Sequence, residues 1–335
     1  MREEKMRVPS PPMAKLLITG GSGFIGRYFV DRFRDREVVN LDLRSPDYSS
    51  HARFLQGDIR NEADVEEAIQ GVDMMIHLAA MHHDFGIADE AYFDTNVKGA
   101  EVLIAAAEKA GVNTIINFSS VAVYGNQGNP GPTSESTIPH PTNPYGASKL
   151  DAEYRFKDWA NAQAGRKLII VRSTVVFGPH NLANVLNLIK AIDQGLYFHV
   201  GKSDNIKSLA YVENIVDAAL FALSTSDSPV RLFNYVDEPQ LSSREIANMQ
   251  AHYLGKKIRL NLPQWMAIAL ALPFDWAIAL TGKNLKISSK RVKKLITQTN
   301  HGAAQIREWG FQPKHSIAFG MEKMIRWYLS TKKNL

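Results

Sequence analysis

The chain has 335 residues, 45% of them hydrophobic and 22% charged, which excludes bulk disorder and suits one large α/β domain with a smaller lobe. It contains no cysteine, which excludes disulfides, thiolate metal sites and cysteine nucleophiles and fits a reducing cytoplasm; its ten histidines form no helical H-x-x-x-H pair, so no metal is expected. The net charge of +5 is modest and the basic residues are spread along most of the chain, which argues against a nucleic-acid partner and suits phosphate-bearing ligands.

Residues 1–13 are charged, contain three prolines and lack an apolar stretch of signal-peptide length, so they are expected to be a disordered leader outside the fold. The run Leu16-Leu17-Ile18 predicts a first strand. Thr19-Gly20-Gly21-Ser22-Gly23-Phe24-Ile25-Gly26 then reads as a tight turn and helix start, with the spacing G-x-x-G-x-x-G. Gly20 allows the turn, Gly23 lets the backbone approach a pyrophosphate, and Gly26 lets the helix pack close to the strand. Free N–H groups at that helix start would face the phosphates. A helix over Arg27–Arg34 leads to a second strand, Val38–Leu41, which ends at Asp42, 22 positions beyond Gly20. A carboxylate there accepts hydrogen bonds from the adenosine ribose and repels a 2′-phosphate, which favours NAD over NADP; Arg27 and Arg44 oppose that preference. Capping of nearby turn amides is the structural alternative for Asp42.

Short strands and helices go on alternating: strand Arg53–Asp58, helix Glu62–Ile69, strand Met74–Leu78 followed by the small Ala79 and Ala80, and helix Tyr92–Ala110. Strand Thr114–Phe118 then delivers Ser119 and Ser120. This alternation predicts a doubly wound parallel sheet covered on both faces, with ligands at the C-terminal edge of its strands. Further on, Tyr145-Gly146-Ala147-Ser148-Lys149 opens a helix, so Tyr145 and Lys149 lie one turn apart on one face.

With these motifs the sequence resembles the extended short-chain dehydrogenase/reductase family, in its branch of NAD-dependent nucleotide-sugar epimerases and dehydratases. The resemblance runs from Ala14 to about Leu329 and rests on the glycine turn, Asp58-Ile59, His77-Leu78-Ala79-Ala80, Asn96-Val97, Ser119 to Gly125, Tyr145 to Lys149 and Phe177-Gly178-Pro179. It implies a Rossmann fold with a C-terminal substrate-binding lobe. It makes Tyr145 the general acid or base, Lys149 its ribose-binding partner and Ser120 a hydrogen-bonding group for the reacting oxygen. Gly20, Gly23, Phe24, Ile25, Gly26, Asp42, Asp58, Ile59, Leu78, Ala79, Ala80 and Asn96, with Tyr145 and Lys149, would hold NAD. His82, Ser120, Lys207 and Arg291 would meet a nucleotide-sugar substrate.

Physical chemistry supports the pairing independently, because a phenol with a pKa near 10 takes a proton from an alcohol only if neighbouring cations favour the phenolate. Dehydratases of this branch carry an Asp-Glu pair where this chain has Val121 and Ala122, which do no acid–base work. The related decarboxylases need a glutamate in that segment, and the 3,5-epimerase-reductases commonly use a cysteine acid; both are absent. What remains is a 4-epimerase or 4-ketoreductase, with UDP-sugars the first expectation. A hydroxysteroid-like dehydrogenase of a hydrophobic alcohol and a non-catalytic NAD(P) sensor are the alternatives, and a sensor has no need of the Ser120, Tyr145 and Lys149 set.

The substrate half is expected to begin at His180. Gly201 to Asn214 looks like the family's nucleotide-sugar segment, with Lys207 in the basic place and a strand returning to the sheet. Val175 stands where many epimerases have an asparagine, which weakens a strict UDP-galactose reading. Residues 262–281 are unusually apolar, but Pro273 and Asp275 interrupt them, so two short helices are expected rather than a membrane span of about 20 residues. A lid over an apolar or lipid-linked substrate, or a membrane-surface patch, is the sharper reading of that stretch. A basic helix over Ser288–Thr297 follows. The expected domains are 14–180 plus 208–236 for NAD and 181–207 plus 237–335 for substrate. The resemblance implies a homodimer joined through helices near 92–110 and 146–163.

Overall fold

A computed structural model describes residues 15–82, 86–125, 131–281 and 296–333, together with Ser289 and Val292. The leader expected over residues 1–13 and most of the basic helix expected over Ser288–Thr297 lie outside these described residues. The chain divides into two compact units. The first holds the residues up to Thr174, Val212–Val236 and His301–Lys314; the second holds Val175–Tyr211, Asp237–Asn300 and the residues from His315 onward.

In the first unit, β1 (Leu16–Thr19), α1 (Phe24–Arg32), β2 (Val38–Asp42), β3 (Arg53–Gln56), α2 (Glu62–Ala68) and β4 (Met74–His77) alternate as the sequence predicts. They are followed by α3 (Asp89–Phe93), α4 (Gly99–Ala110), β5 (Thr114–Ser120), α5 (Pro144–Ala162) and β6 (Lys167–Ser173). The strand Val230–Tyr235 completes a seven-stranded parallel sheet in the order Val230–Tyr235, β6, β5, β4, β1, β2, β3. Helices cover both faces, so the central strands are apolar on both: Leu17, Ile18, Met75, Ile76, Ile115, Ile116, Ile169 and Ile170 are fully buried. On one face Val65, Leu103, Phe156 and Trp159 close a single core over the sheet.

The strand order reverses at β1, with β2 and β3 on one side and β4 on the other, and a crevice at the strand ends forms at such a reversal. Thr19 and His77, the last residues of β1 and β4, sit opposite each other there. The helix expected over Tyr92–Ala110 is interrupted by a π-helical turn at Asp94–Lys98. That turn holds Asn96, which is buried, in line with the frequent use of π turns at functional positions.

The second unit is built on the helices Asn184–Asp193, Ser243–Tyr253, Gln264–Thr281 and Ile317–Thr331 with short strand pairs. Leu209–Tyr211 does not rejoin the main sheet; it pairs with Val175–Phe177. Backbone groups of Leu209–Tyr211 are also taken by Asp237, whose amide donates to the Leu209 carbonyl at 2.9 Å and whose Oδ2 accepts from the Tyr211 amide at 2.6 Å. The stretch expected as two short helices is one, Gln264–Thr281, with Pro273 inside it. Proline there removes one helical hydrogen bond, the one to the Ala269 carbonyl, and both residues lie on the exposed side where water can replace it.

Helix α5 is fastened to β6 by a buried ion pair. The Glu153 carboxylate accepts from Arg172 Nε at 2.9 Å and Nη2 at 2.7 Å, with both side chains almost wholly out of water. Arg172 Nη1 also donates to the Tyr124 hydroxyl at 2.8 Å, which donates to Asn234 Oδ1 at 2.7 Å, so the network ties α5, β6, the turn after β5 and the last strand together. Replacing Glu153 with Leu strands a buried guanidinium and should lower the unfolding free energy by about 3–5 kcal/mol in urea titrations. The double change Glu153→Leu with Arg172→Met should recover most of that loss.

Candidate active site

The glycine loop is compressed against its neighbours. Gly20 has φ +75°, and a Cβ on it would stand 2.8 Å from the Ala79 amide; one on Gly26 would stand 2.4 Å from the Gly20 carbonyl. Side chains at these positions would push β1, α1 and the end of β4 apart. Helix α1 starts at Phe24 with Gly23 before it and no side chain capping its first amides, which is the arrangement that receives a phosphate. Asn40 donates to Ser22 Oγ at 3.0 Å, while its buried Oδ1 has no hydrogen-bond partner. The loop is thus a close-packed glycine turn that ends in an uncapped helix start, and these residues fit a dinucleotide.

Asp42, at the end of β2, accepts from the Ser22 amide at 3.1 Å through Oδ2 and from the Arg44 amide at 3.2 Å through Oδ1. It therefore caps the loop, and each carboxylate oxygen keeps a second lone pair for a ribose hydroxyl. Arg27 pairs with Asp47 at 3.3 Å and lies over the Tyr48 ring, whose hydroxyl donates to the Gly21 carbonyl at 2.7 Å; Arg44 is exposed. Asp58 is held below the usual carboxylate range by hydrogen bonds from Arg60, which also reaches Asp94. Ile59 is buried in the core, so close to Gly99 that a Cβ there would come within 2.7 Å of it.

At the strand reversal, Thr19 Oγ1 and His77 Nδ1 are 2.8 Å apart, and the Ala79 amide donates to Thr19 Oγ1 at 3.4 Å. Burial, aided by the charge of Lys149, pushes His77 down to about 3, so the ring is neutral at physiological pH. Leu78, Ala79 and Ala80 follow, half-buried. Asn96 clamps the next residue: its Oδ1 accepts from the Met81 amide at 2.8 Å and its Nδ2 donates to the Met81 carbonyl at 3.1 Å and to Ser148 Oγ at 2.9 Å. His82 is exposed, with Nδ1 3.2 Å from the Ala80 carbonyl.

Ser120 ends β5, and its Oγ accepts from the Ala122 amide at 3.1 Å, leaving the hydroxyl proton to donate elsewhere. The turn Val121–Tyr124 that follows is met by the start of α5. A Cβ on Gly146 would lie 2.4 Å from the Ala122 carbonyl, so glycine at this position allows the helix that carries Tyr145 to approach the turn that carries Ser120. Asn143 caps α5 through the Gly146 amide at 2.8 Å, and Pro144 occupies its first turn. Tyr145 is half-buried, its ring tilted against that of Tyr92 with centroids 6.3 Å apart. Lys149, one turn on, is buried, which lowers its pKa to about 8 even though Glu153 holds it up. In the second unit, Lys207 Nζ donates to the Thr297 carbonyl at 2.6 Å and Val175 is exposed. Arg291 lies outside the described residues.

A sequence profile of the NAD dependent epimerase/dehydratase family matches residues 16–234. The chain belongs to this family. It is 36% identical over 95% of its length to the N-acetyl-α-D-glucosaminyl-diphospho-ditrans,octacis-undecaprenol 4-epimerase of Escherichia coli O157:H7, of which the match covers 97%. It is 29% identical to the mouse dTDP-D-glucose 4,6-dehydratase, over 98% of this chain and 92% of that protein. Among solved structures it is similar to a UDP-glucose 4-epimerase from Thermotoga maritima, with a TM-score of 0.75, 23% identity, and coverage of 95% of this chain and 99% of that one.

Within this family member, several residues that stand inside the motifs read from sequence receive no role from that reading. Thr19 and His77 form the polar pair at the strand reversal, and Ser148 links Asn96 to the Tyr145 carbonyl through a 2.9 Å bond. The available signal was position: each is a polar residue at a strand end or at the start of α5, beside Tyr145 and Lys149. Asn96→Ala should leave the Met81 amide and carbonyl unpaired and cost about 1–3 kcal/mol of unfolding free energy, read by urea denaturation. Asn96→Asp, which keeps the acceptor for the Met81 amide but sets a buried carboxylate oxygen against the Met81 carbonyl, should cost at least as much.

Proposed function

We propose that the protein is an NAD-dependent 4-epimerase of a sugar held through a diphosphate, with Ser120, Tyr145 and Lys149 as its catalytic residues. The observation that carries this reading is that set at the end of β5 and the start of α5, beside apolar Val121 and Ala122 where a dehydratase needs acids. The name of the 36%-identical relative, a 4-epimerase of a diphospho-linked N-acetylglucosamine, supports it. When bound, NAD supplies a nicotinamide carbon that takes one hydride from the sugar carbinol and returns it to the opposite face.

The chain's own residues handle the proton and the geometry. Tyr145 takes the 4-hydroxyl proton as phenolate and gives it back at the end of the cycle. Lys149, poised at about 8 by burial, places a cation beside that phenolate and donates toward the ribose. Ser120 donates its hydroxyl proton to the reacting oxygen. The α1 amides and the glycine loop hold the pyrophosphate, and Asp42 accepts from the ribose. Lys207 and Arg291 are assigned to the substrate's diphosphate, the second unit to substrate binding, and α4 with α5 to a homodimer contact. A cysteine-free chain suits the cytoplasm, where NAD is supplied.

Incubation with UDP-N-acetylglucosamine, UDP-glucose and polyprenyl-diphospho-N-acetylglucosamine should yield a C4 epimer of at least one, with no net NADH. Net NADH production without an epimer, or loss of water from the sugar, would overturn the assignment. Tyr145→Phe should keep folding and cofactor binding and lower turnover by a factor on the order of 100 or more. Lys149→Met should move the rise of activity with pH to more alkaline values, because the phenol loses a neighbouring cation.

Cofactor choice is assigned to Asp42. Asp42→Ala removes both the repulsion of a 2′-phosphate and the ribose hydrogen bonds, so the ratio of NAD to NADP affinity measured by calorimetry should fall. An unchanged ratio would leave Asp42 as a cap of the Ser22 and Arg44 amides.

A further inference from the structure

The helix Gln264–Thr281 of the second unit is built inside out. Its small residues Ala267 and Ala271 are buried, at 3% and 1% exposure, while Trp265 and Trp276 are 70% and 74% exposed. Trp265, Leu272 and Trp276 are seven and four residues apart, so they share one stripe of the helix. Leu270 and Phe274 are exposed as well, and so is Leu260 just before the helix. Six of the fifteen large hydrophobic side chains that the described residues expose fall between 260 and 276. A surface helix ordinarily points its large apolar residues inward, and an exposed cluster of this kind marks an interaction surface.

Charge says what covers it. Residues 255–300 carry nine of the chain's 39 Lys and Arg but one of its 34 Asp and Glu, so the remaining residues have a net charge of −3. The basic surplus of the whole protein therefore belongs to the stretch that holds this helix. Its acid, Asp275, accepts from the Ser289 amide at 3.0 Å. Lys257 and Arg259 stand exposed just ahead of the helix. A second copy of the chain meeting this face would bring cations against cations, whereas an anionic bilayer offers acyl chains for the tryptophans and phosphates for the lysines and arginines. Among the described residues no helix is long and apolar enough to cross a membrane, so the contact is one with a surface.

We propose that Gln264–Thr281 docks the protein in the plane of an anionic lipid surface, with Trp265, Leu272 and Trp276 at the acyl boundary and Lys257 and Arg259, just ahead of the helix, among the lipid phosphates. The docking goes beyond the reaction proposed above and does not depend on it.

The full chain should float with vesicles of phosphatidylethanolamine and phosphatidylglycerol, less with phosphatidylcholine alone, and less again as salt is raised. Brominated acyl chains should quench its tryptophan fluorescence. The triple change Trp265→Ser, Leu272→Ser, Trp276→Ser should reduce flotation by ~10-fold or more with an unchanged melting temperature. The pair Lys257→Gln, Arg259→Gln should weaken binding to phosphatidylglycerol vesicles selectively. If the triple variant does not fold, Trp276→Ser alone and the quenching of the unaltered chain decide. Failure of the unaltered chain to float or be quenched would overturn the proposal. So would flotation of the folded triple variant at the wild-type level, or a fall in its solution mass by light scattering without loss of flotation, which would mark a contact between copies.

Discussion

Burial of Lys149 and Glu153 one turn apart on α5 is the constraint from which the arrangement of the site follows. A lysine and a glutamate out of water on the same face are tolerable only where the carboxylate has a fixed partner, and Arg172 supplies one through two hydrogen bonds. The guanidinium cannot move away without abandoning Tyr124 as well, so α5, β6 and the turn after β5 are held as a unit. Tyr145, at the opening turn of α5, inherits its position from this buried network. The close approach at Gly146 completes it by setting the Tyr145 turn against the backbone that follows Ser120.

The same low-dielectric environment adjusts the charges. Burial pulls Lys149 down to about 8, and the charge of Lys149 in turn helps to suppress protonation of His77. His77 is therefore a neutral hydrogen-bonding partner of Thr19 at the point where the strand order reverses and adds no charge there. Under the proposed function, the positive charge of Lys149 would lie where a phenolate and a ribose need it. The phosphates would be served by the uncharged backbone amides at the uncapped start of α1. Division of labour between helix amides and a single tuned lysine suits a ligand whose negative charge and reactive ring lie at different places.

Much of this was legible in the chain because parallel-sheet strands are nearly all apolar and stop at polar residues: Thr19, Asp42, His77 and Ser120 each end a strand, and the elements of the first unit lie close to where the apolar runs place them. The alternation, the glycine turn and the spacing of Tyr145 and Lys149 are local patterns, and local patterns survive reading in one dimension. What escaped were features decided by distant partners. The π turn that seats Asn96 depends on Met81 and Ser148, which share no periodicity with it. The pairing of Leu209–Tyr211 with Val175–Phe177 depends on Asp237 taking backbone groups of the first segment. Pro273 reads as a stop in sequence, yet a proline on the exposed side of a helix loses one bond that water can replace.

The chemistry proposed for Ser120, Tyr145 and Lys149 acts on a carbinol and is indifferent to what lies beyond the diphosphate. A sugar diphosphate presents the same ring and the same charges whether its far ester is a nucleoside or a polyprenol. The two differ in phase, since a nucleotide sugar diffuses in water and a polyprenyl diphosphate stays in a bilayer with its phosphates at the surface. An enzyme for the second kind has to come to the lipid, and the least costly route leaves the backbone hydrogen bonds of a helix intact while turning tryptophans outward and gathering cations beside them. Confinement to that plane would then raise the local concentration of a lipid-borne sugar without any change at Ser120, Tyr145 or Lys149. In that arrangement the residues proposed for catalysis would read the sugar, and the exposed helix of the second unit would select the phase in which the sugar is met.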